Sequence, residues 1–219
     1  DVARLVALNQ NPTATAWEQW LCQAVRSPWD SLKLRDLWAT KLLRENRIDE
    51  AWQIMETLPD SLYAEDGWNL APHTHRNPFL IEDFSPVTLD SSTVAQMHKK
   101  EVVRTLATLI RASQSPATPD RFRILVSVAN IYYNIAPTGK LWNVTQYYWS
   151  SGWAGHRSTE TQTGAVLPIR SHSSEPLLAQ ARVYYERALA AAPAPPQRHL
   201  CQYLLGRLWN EAQPRGPYD

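Results

Sequence analysis

Glycine is scarce in this 219-residue chain, with seven Gly against 16 Pro. That balance disfavours folds built on glycine turns or phosphate-cradling loops, and the prolines supply frequent stops between elements. Cysteine is scarcer still: Cys22 and Cys201, near opposite ends, are too few for a disulfide framework. Each lies in an apolar helical pattern, which reads as a buried free thiol, with a staple between the two ends as the alternative. An excess of either charge is missing too, since 22 Lys+Arg oppose 21 Asp+Glu for a formal net charge of +1. A dedicated nucleic-acid binder would carry a strong basic excess, so no nucleic-acid partner is expected. No run approaches about 18 apolar residues, which excludes a transmembrane helix but not a peripheral place in a membrane-associated complex. The start at Asp1, without a basic-then-apolar leader, fits a processed or trimmed chain. A periplasmic or cell-surface location is preferred to a cytoplasmic one.

What the chain does have is helical periodicity and ten Trp. Trp17, Trp20, Leu21 and Ala24 recur at three- and four-residue spacing and predict a helix over Thr13–Arg26. Leu34, Trp38, Leu42 and Leu43 predict a second over Asp30–Glu45, and Ile48, Ala51, Trp52 and Met55 a third over Ile48–Leu58. Glu45-Asn46-Arg47 joins the last two into a helical hairpin, with Asn46 suited to a left-handed helix end. Periodicity then collapses until a helix over Thr93–Ala112. Its apolar stripe includes Val102, Leu106 and Ile110, and Lys99, Lys100, Arg104 and Arg111 form its charged remainder. A dense apolar helix, Asp120–Ile135, reads as central to the core. After an insertion over 136–174, helices follow over Glu175–Ala191 and Gln197–Ala212. No strand is expected with confidence of pattern; Val144–Trp149 could be a strand or a short helix. The reading is a single all-α domain over 1–219, with an N-terminal hairpin region at 13–58 and a C-terminal region at 93–212.

Ala181, Tyr185, Ala188 and Pro193 follow the small–aromatic–small–proline spacing of the second helix of a tetratricopeptide repeat. Ala51, Met55 and Leu58 hold comparable places in the third helix, with Trp38, Ala39 and Leu42 in the helix before it. Leu58 departs from the pattern, standing where a small residue is usual. Val128-Ala129-Asn130-Ile131-Tyr132-Tyr133-Asn134 looks like the first helix of the C-terminal repeat. Together with the aromatic run after it and Asn77-Pro78-Phe79 upstream, residues from Asn77 to Ala212 resemble uncharacterised bacterial tetratricopeptide-containing proteins. The resemblance implies antiparallel helical hairpins with two long irregular insertions, and a scaffold role with protein partners in a complex. It supplies no activity. An ordinary irregular helical bundle is the alternative, and it is also all-α.

Motifs that carry chemistry are few. His73-Thr74-His75 could present two imidazoles to one side of an extended chain, yet neither Glu65 nor Asp66 stands at a diagnostic metal-ligand spacing, so a solvated loop is the better reading. Ser171-His172-Ser173-Ser174 places hydroxyls beside an imidazole without making a nucleophile and base. Asn143-Val144-Thr145 matches the glycosylation pattern. No catalytic residue, cofactor or metal is assigned. The candidate binding residues are Trp142, Tyr147, Tyr148, Trp149 and Trp153 in the insertion. These rings could stack on a glycan or grip a protein partner, or they could fasten the insertion to the helices. Trp17, Trp20, Trp38, Trp52 and Trp209 are expected in the core.

Overall fold

A computed structural model describes residues 28–63, 73–74, 78–79, 97–115, 118–136, 139, 141–145, 158–160, 166–168 and 175–212. Six α-helices dominate them: α1 Pro28–Arg44, α2 Ile48–Glu56, α3 Lys99–Gln114, α4 Arg121–Ile135, α5 Glu175–Ala191 and α6 Pro195–Ala212. Strand is confined, among the described residues, to two short antiparallel pairs. β1 (His73–Thr74) pairs with β2 (Met97–His98), and β3 (Ser158–Glu160) with β4 (Val166–Pro168). The fold is all-α. The helix expected over Thr13–Arg26 lies outside the described residues, as does Cys22. Cys201 is a buried free thiol, and burial raises its pKa.

The α1–α2 turn shows why the chain reverses where it does. Arg47 N–H donates to the Leu42 carbonyl at 2.9 Å and Asn46 N–H to that of Leu43 at 3.0 Å, while Asn46 takes φ 59°. These are the two bonds of a Schellman ending, with asparagine in the left-handed position that glycine usually fills. Asn46 also accepts a 2.7 Å hydrogen bond from the Tyr132 hydroxyl of α4. Tyr132 stacks on Tyr184 of α5 at 5.7 Å, and the Arg187 guanidinium lies 4.8 Å over Tyr184. One line of side chains thus ties the first hairpin to the C-terminal helices.

Each helix packs chiefly against its neighbours in sequence: α1 on α2, α2 on α3, and so on to α6. Ala39, Leu43, Ala51, Met55, Leu106, Leu125, Ile131, Ala181, Tyr185 and Ala188 are fully buried in the shared core. The C-terminal half of α4 is covered on every side, since all residues from Val128 to Ile135 are buried, as expected of a helix sandwiched between others. The small residues Ala181 and Ala188 let α5 approach it closely, and Tyr185 fills the space between them.

Two expectations for α3 need correction. The helix starts at Lys99, not near Thr93, because His98 caps it. His98 Nδ1 accepts from the Glu101 N–H at 3.3 Å, and the Glu101 carboxylate accepts from the His98 N–H at 3.0 Å. This capping box satisfies two amides that would otherwise lack partners. Lys99, expected among the exposed charges, is 1% exposed. Its ammonium donates to Asp36 Oδ2 at 2.9 Å and to Thr40 Oγ1 at 2.6 Å, while Tyr63 donates to Asp36 Oδ1 at 2.9 Å. Burial pulls the Lys99 pKa below the ordinary lysine value, with Asp36 acting in the opposite direction. An ion pair therefore locks α1 to α3 through the core.

Candidate interaction surface

α6 is the last described helix, and its fully buried residues fall on one side. Cys201, Leu204 and Leu208 are buried, at a spacing that keeps them on one stripe. The opposite stripe carries Tyr203 and Trp209, which are 54% and 61% exposed. Gly206 stands between them, and a Cβ built there meets nothing within 4 Å. Trp209 was expected in the core, but Leu208 takes the inward place and Trp209 is turned about 100° away from it. Trp38 and Trp52 pack against the core as expected, though neither is fully buried. Beside this face, the Arg207 guanidinium lies 5.7 Å over the Tyr133 ring. That contact turns the Arg207 guanidinium inward, onto a ring of α4.

The aromatic run of the insertion is described only at its root. Trp142 opens a 3-10 turn over Trp142–Val144 and is partly buried; Tyr147, Tyr148, Trp149 and Trp153 lie outside the described residues. The root is firmly built. Leu141 N–H donates to the Asn134 carbonyl at 2.8 Å and Thr145 Oγ1 to that of Ile135 at 2.7 Å, while Arg44 Nε donates to the Thr145 carbonyl. The turn that reaches it needs Gly139, because a Cβ there would run into the Asn134 carbonyl oxygen. Asn143 and Thr145 are buried, so the glycosylation pattern at Asn143 has no room for a glycan.

Pro78 and Phe79, singled out in the sequence, belong to the same joint. Asn134 Nδ2 donates to the Pro78 carbonyl at 3.0 Å, and Asn130 Nδ2 donates to that of Phe79. Asn130 Oδ1 in turn accepts from the Tyr185 hydroxyl at 2.7 Å. The spacing of Asn130 and Asn134 thus has a physical purpose: two amides one helical turn apart hold two consecutive carbonyls. Burial raises the pKa values of Tyr185 and Tyr132 well above the ordinary phenol value. Both hydroxyls remain hydrogen-bond donors.

These polar clusters tie helices together in the interior. Asp36, Thr40 and Lys99 are all buried, and their polar atoms bond to one another. His73 lies in β1, opposite His98 in the strand register, while His75 and Ser171–Ser174 lie outside the described residues. Among the described residues, no group of three His, Cys, Asp or Glu is placed to hold a metal ion. None of the described helices is long and apolar enough to cross a membrane. Comparison of the chain with family models, curated proteins and solved structures returns no match, so the surface has to be read from its own geometry.

Sequence reasoning missed the α6 face. The signal was available in the spacing: Tyr203, Gly206 and Trp209 recur every three residues on the side opposite Cys201, Leu204 and Leu208.

Proposed function

We propose that this chain is a non-enzymatic protein–protein interaction module, built of tetratricopeptide-like helical hairpins and working as a subunit of a larger assembly. The observation that carries this reading is the pair of exposed aromatic rings, Tyr203 and Trp209, on the outer side of the last described helix. Aromatic rings concentrate binding energy because each offers a large, rigid area at little entropic cost. Neighbour-on-neighbour helix packing supports the repeat-like reading, as does the burial of Ala181, Tyr185 and Ala188 at the α4–α5 contact. In such arrays each unit buries its neighbour's apolar side, and exposed rings on an outer helix side offer a partner a place to dock. Binding would be docking by shape, with the aromatic rings as anchors.

The test is recovery of the chain from its native cells under gentle extraction, wild type beside Trp209→Ala. The reading expects a partner in fixed stoichiometry with the wild type and at least about a tenfold loss with the variant. Recovery of the wild-type chain alone would remove it.

A further inference from the structure

His98 is an unusual residue with which to start a helix. Extended at φ −81° and ψ 165°, it is both the last residue of β2 and the N-cap of α3. Its Nδ1 accepts from the Glu101 N–H at 3.3 Å, while its own N–H donates to Glu101 Oε2 at 3.0 Å. The residues that usually cap a helix offer an oxygen, which goes on accepting in mild acid. An imidazole nitrogen accepts only while its lone pair is free, and the ordinary imidazole pKa is about 6.5. We propose that His98 is a proton-operated latch: the neutral ring closes the first turn of α3 onto β2, and protonation opens it. This adds a pH-sensitive device to the fold and stands apart from the interaction reading above.

The charges around the ring decide which state a proton favours. Against a capped cation stand the positive end of the α3 dipole and the ammonium groups of Lys99 and Lys100, next in the chain. Protonated Nδ1 would also point a donor at a donor, the Glu101 N–H. For the cation stand Glu101, whose Oε2 lies 3.8 Å from Nε2, and Asp60. Lys100 chiefly, with His98 and Arg104 to a smaller degree, holds the Asp60 carboxyl below its ordinary value. Asp60 is already bonded to Lys100 at 2.8 Å, and Asp36 to Lys99 at 2.9 Å. That leaves Glu101, whose attraction does not require Nδ1 to stay at the Glu101 N–H. A protonated ring therefore keeps this partner while leaving the cap. The capped state excludes a proton from Nδ1 and the open state admits it. By linkage the cap is complete above the imidazole range and is lost as pH falls through it.

The latch sits where three parts of the fold meet. β2 pairs with β1, with His98 opposite His73 in register. The Tyr63 ring, at the end of the 3-10 turn Asp60–Tyr63, stacks on the imidazole at 5.6 Å with the planes 13° apart, and its hydroxyl donates to Asp36. Lys99, the next residue, carries the ion pair across to α1. Opening the cap loosens the border of this lock without exposing it, because the Lys99 and Asp36 side chains are each 1% exposed. A helix cap changes the folded-to-unfolded ratio by about fivefold, so protonation frees one turn and leaves the chain folded.

Two measurements on the whole chain test the latch. In nitrogen NMR at about pH 8, the neutral His98 ring should carry its proton on Nε2, leaving Nδ1 to accept. Protection of the Glu101 amide from hydrogen exchange, corrected for the intrinsic rate, should then fall about fivefold by about pH 5.5, following the titration of His98 itself. Urea unfolding is the second. Over the same range the wild-type unfolding constant should rise about fivefold more than that of His98→Asn, whose amide oxygen caps without titrating. His98→Ala should be weaker than the wild type by about the same factor at about pH 8, and equal to it at about pH 5.5. A neutral ring with its proton on Nδ1 overturns the latch, even if neither variant folds. So does a Glu101 amide whose protection stays constant through the titration, or a wild type whose unfolding constant runs parallel to that of His98→Asn.

Discussion

The contact between α1 and α3 is locked by charge, and the one between α4 and α5 by neutral amides. Asp36 and Lys99 face each other across the first contact at 2.9 Å, whereas Asn130 and Asn134 reach Tyr185, Pro78 and Phe79 around the second. Both locks leave their groups satisfied, but they differ in what happens when half is removed. A stranded charge cannot share its burden with its surroundings, and a stranded amide or hydroxyl costs less. The comparison teaches that the N-terminal joint is the brittle one.

The largest effect should follow from breaking the ion pair. Asp36→Ala leaves Lys99 buried without its carboxylate and should cost about 3–5 kcal/mol in urea unfolding. The double variant Asp36→Leu/Lys99→Met should recover most of that loss, because an apolar pair of similar size needs no charge solvation. If the double variant is as weak as the single, the pair does more than fix which faces of α1 and α3 meet. At the neutral joint, Asn130→Leu should cost less, about 1–3 kcal/mol, by stranding the Tyr185 hydroxyl and the Phe79 carbonyl. Adding Tyr185→Phe should return part of it in a double-mutant cycle.

Alkali probes the buried tyrosine hydroxyls instead. Tyr132 and Tyr185 have folded pKa values raised by burial, so the fold keeps protons that the unfolded chain gives up. Their contribution is complete below about pH 10 and is lost as pH rises beyond it, roughly 1 kcal/mol for each tyrosine by about pH 10.5. Unfolding followed by phenolate absorbance should show this, and Tyr132→Phe should flatten the slope. Asn46→Gly should cost less than about 1 kcal/mol, since glycine accepts the left-handed turn and only the Tyr132 hydrogen bond is lost. The smallest effect should come from Arg111→Ala, whose exposed ion pair with Asp49 contributes within about 0.5 kcal/mol of nothing.

Much of the architecture could be read from periodicity, because α1, α2, α4, α5 and α6 follow apolar spacing that packing then uses. Asn46 was legible for a related reason: its residue type tolerates the left-handed turn the hairpin needs. Lys99 was not, since its partner Asp36 lies on another helix and spacing within one helix says nothing about what meets it. The start of α3 depended on His98 acting as a cap, a place where serine, threonine, aspartate or asparagine is more usual. Trp209 misled because a large aromatic at roughly helical spacing resembles core, and only its angle relative to Leu204 and Leu208 distinguishes outward from inward. Of the aromatic rings proposed in the insertion, Trp142 alone falls among the described residues, where it belongs to a turn tied to the core.

That turn bears on how the chain can be altered. Thr145 is held by Arg44 from α1 and by the end of α4, and α5 begins at Glu175 against the same helix. Departure and return are thus both set by the framework. For protein engineering, an exchange of the stretch between Thr145 and Glu175 therefore has two fixed ends to join.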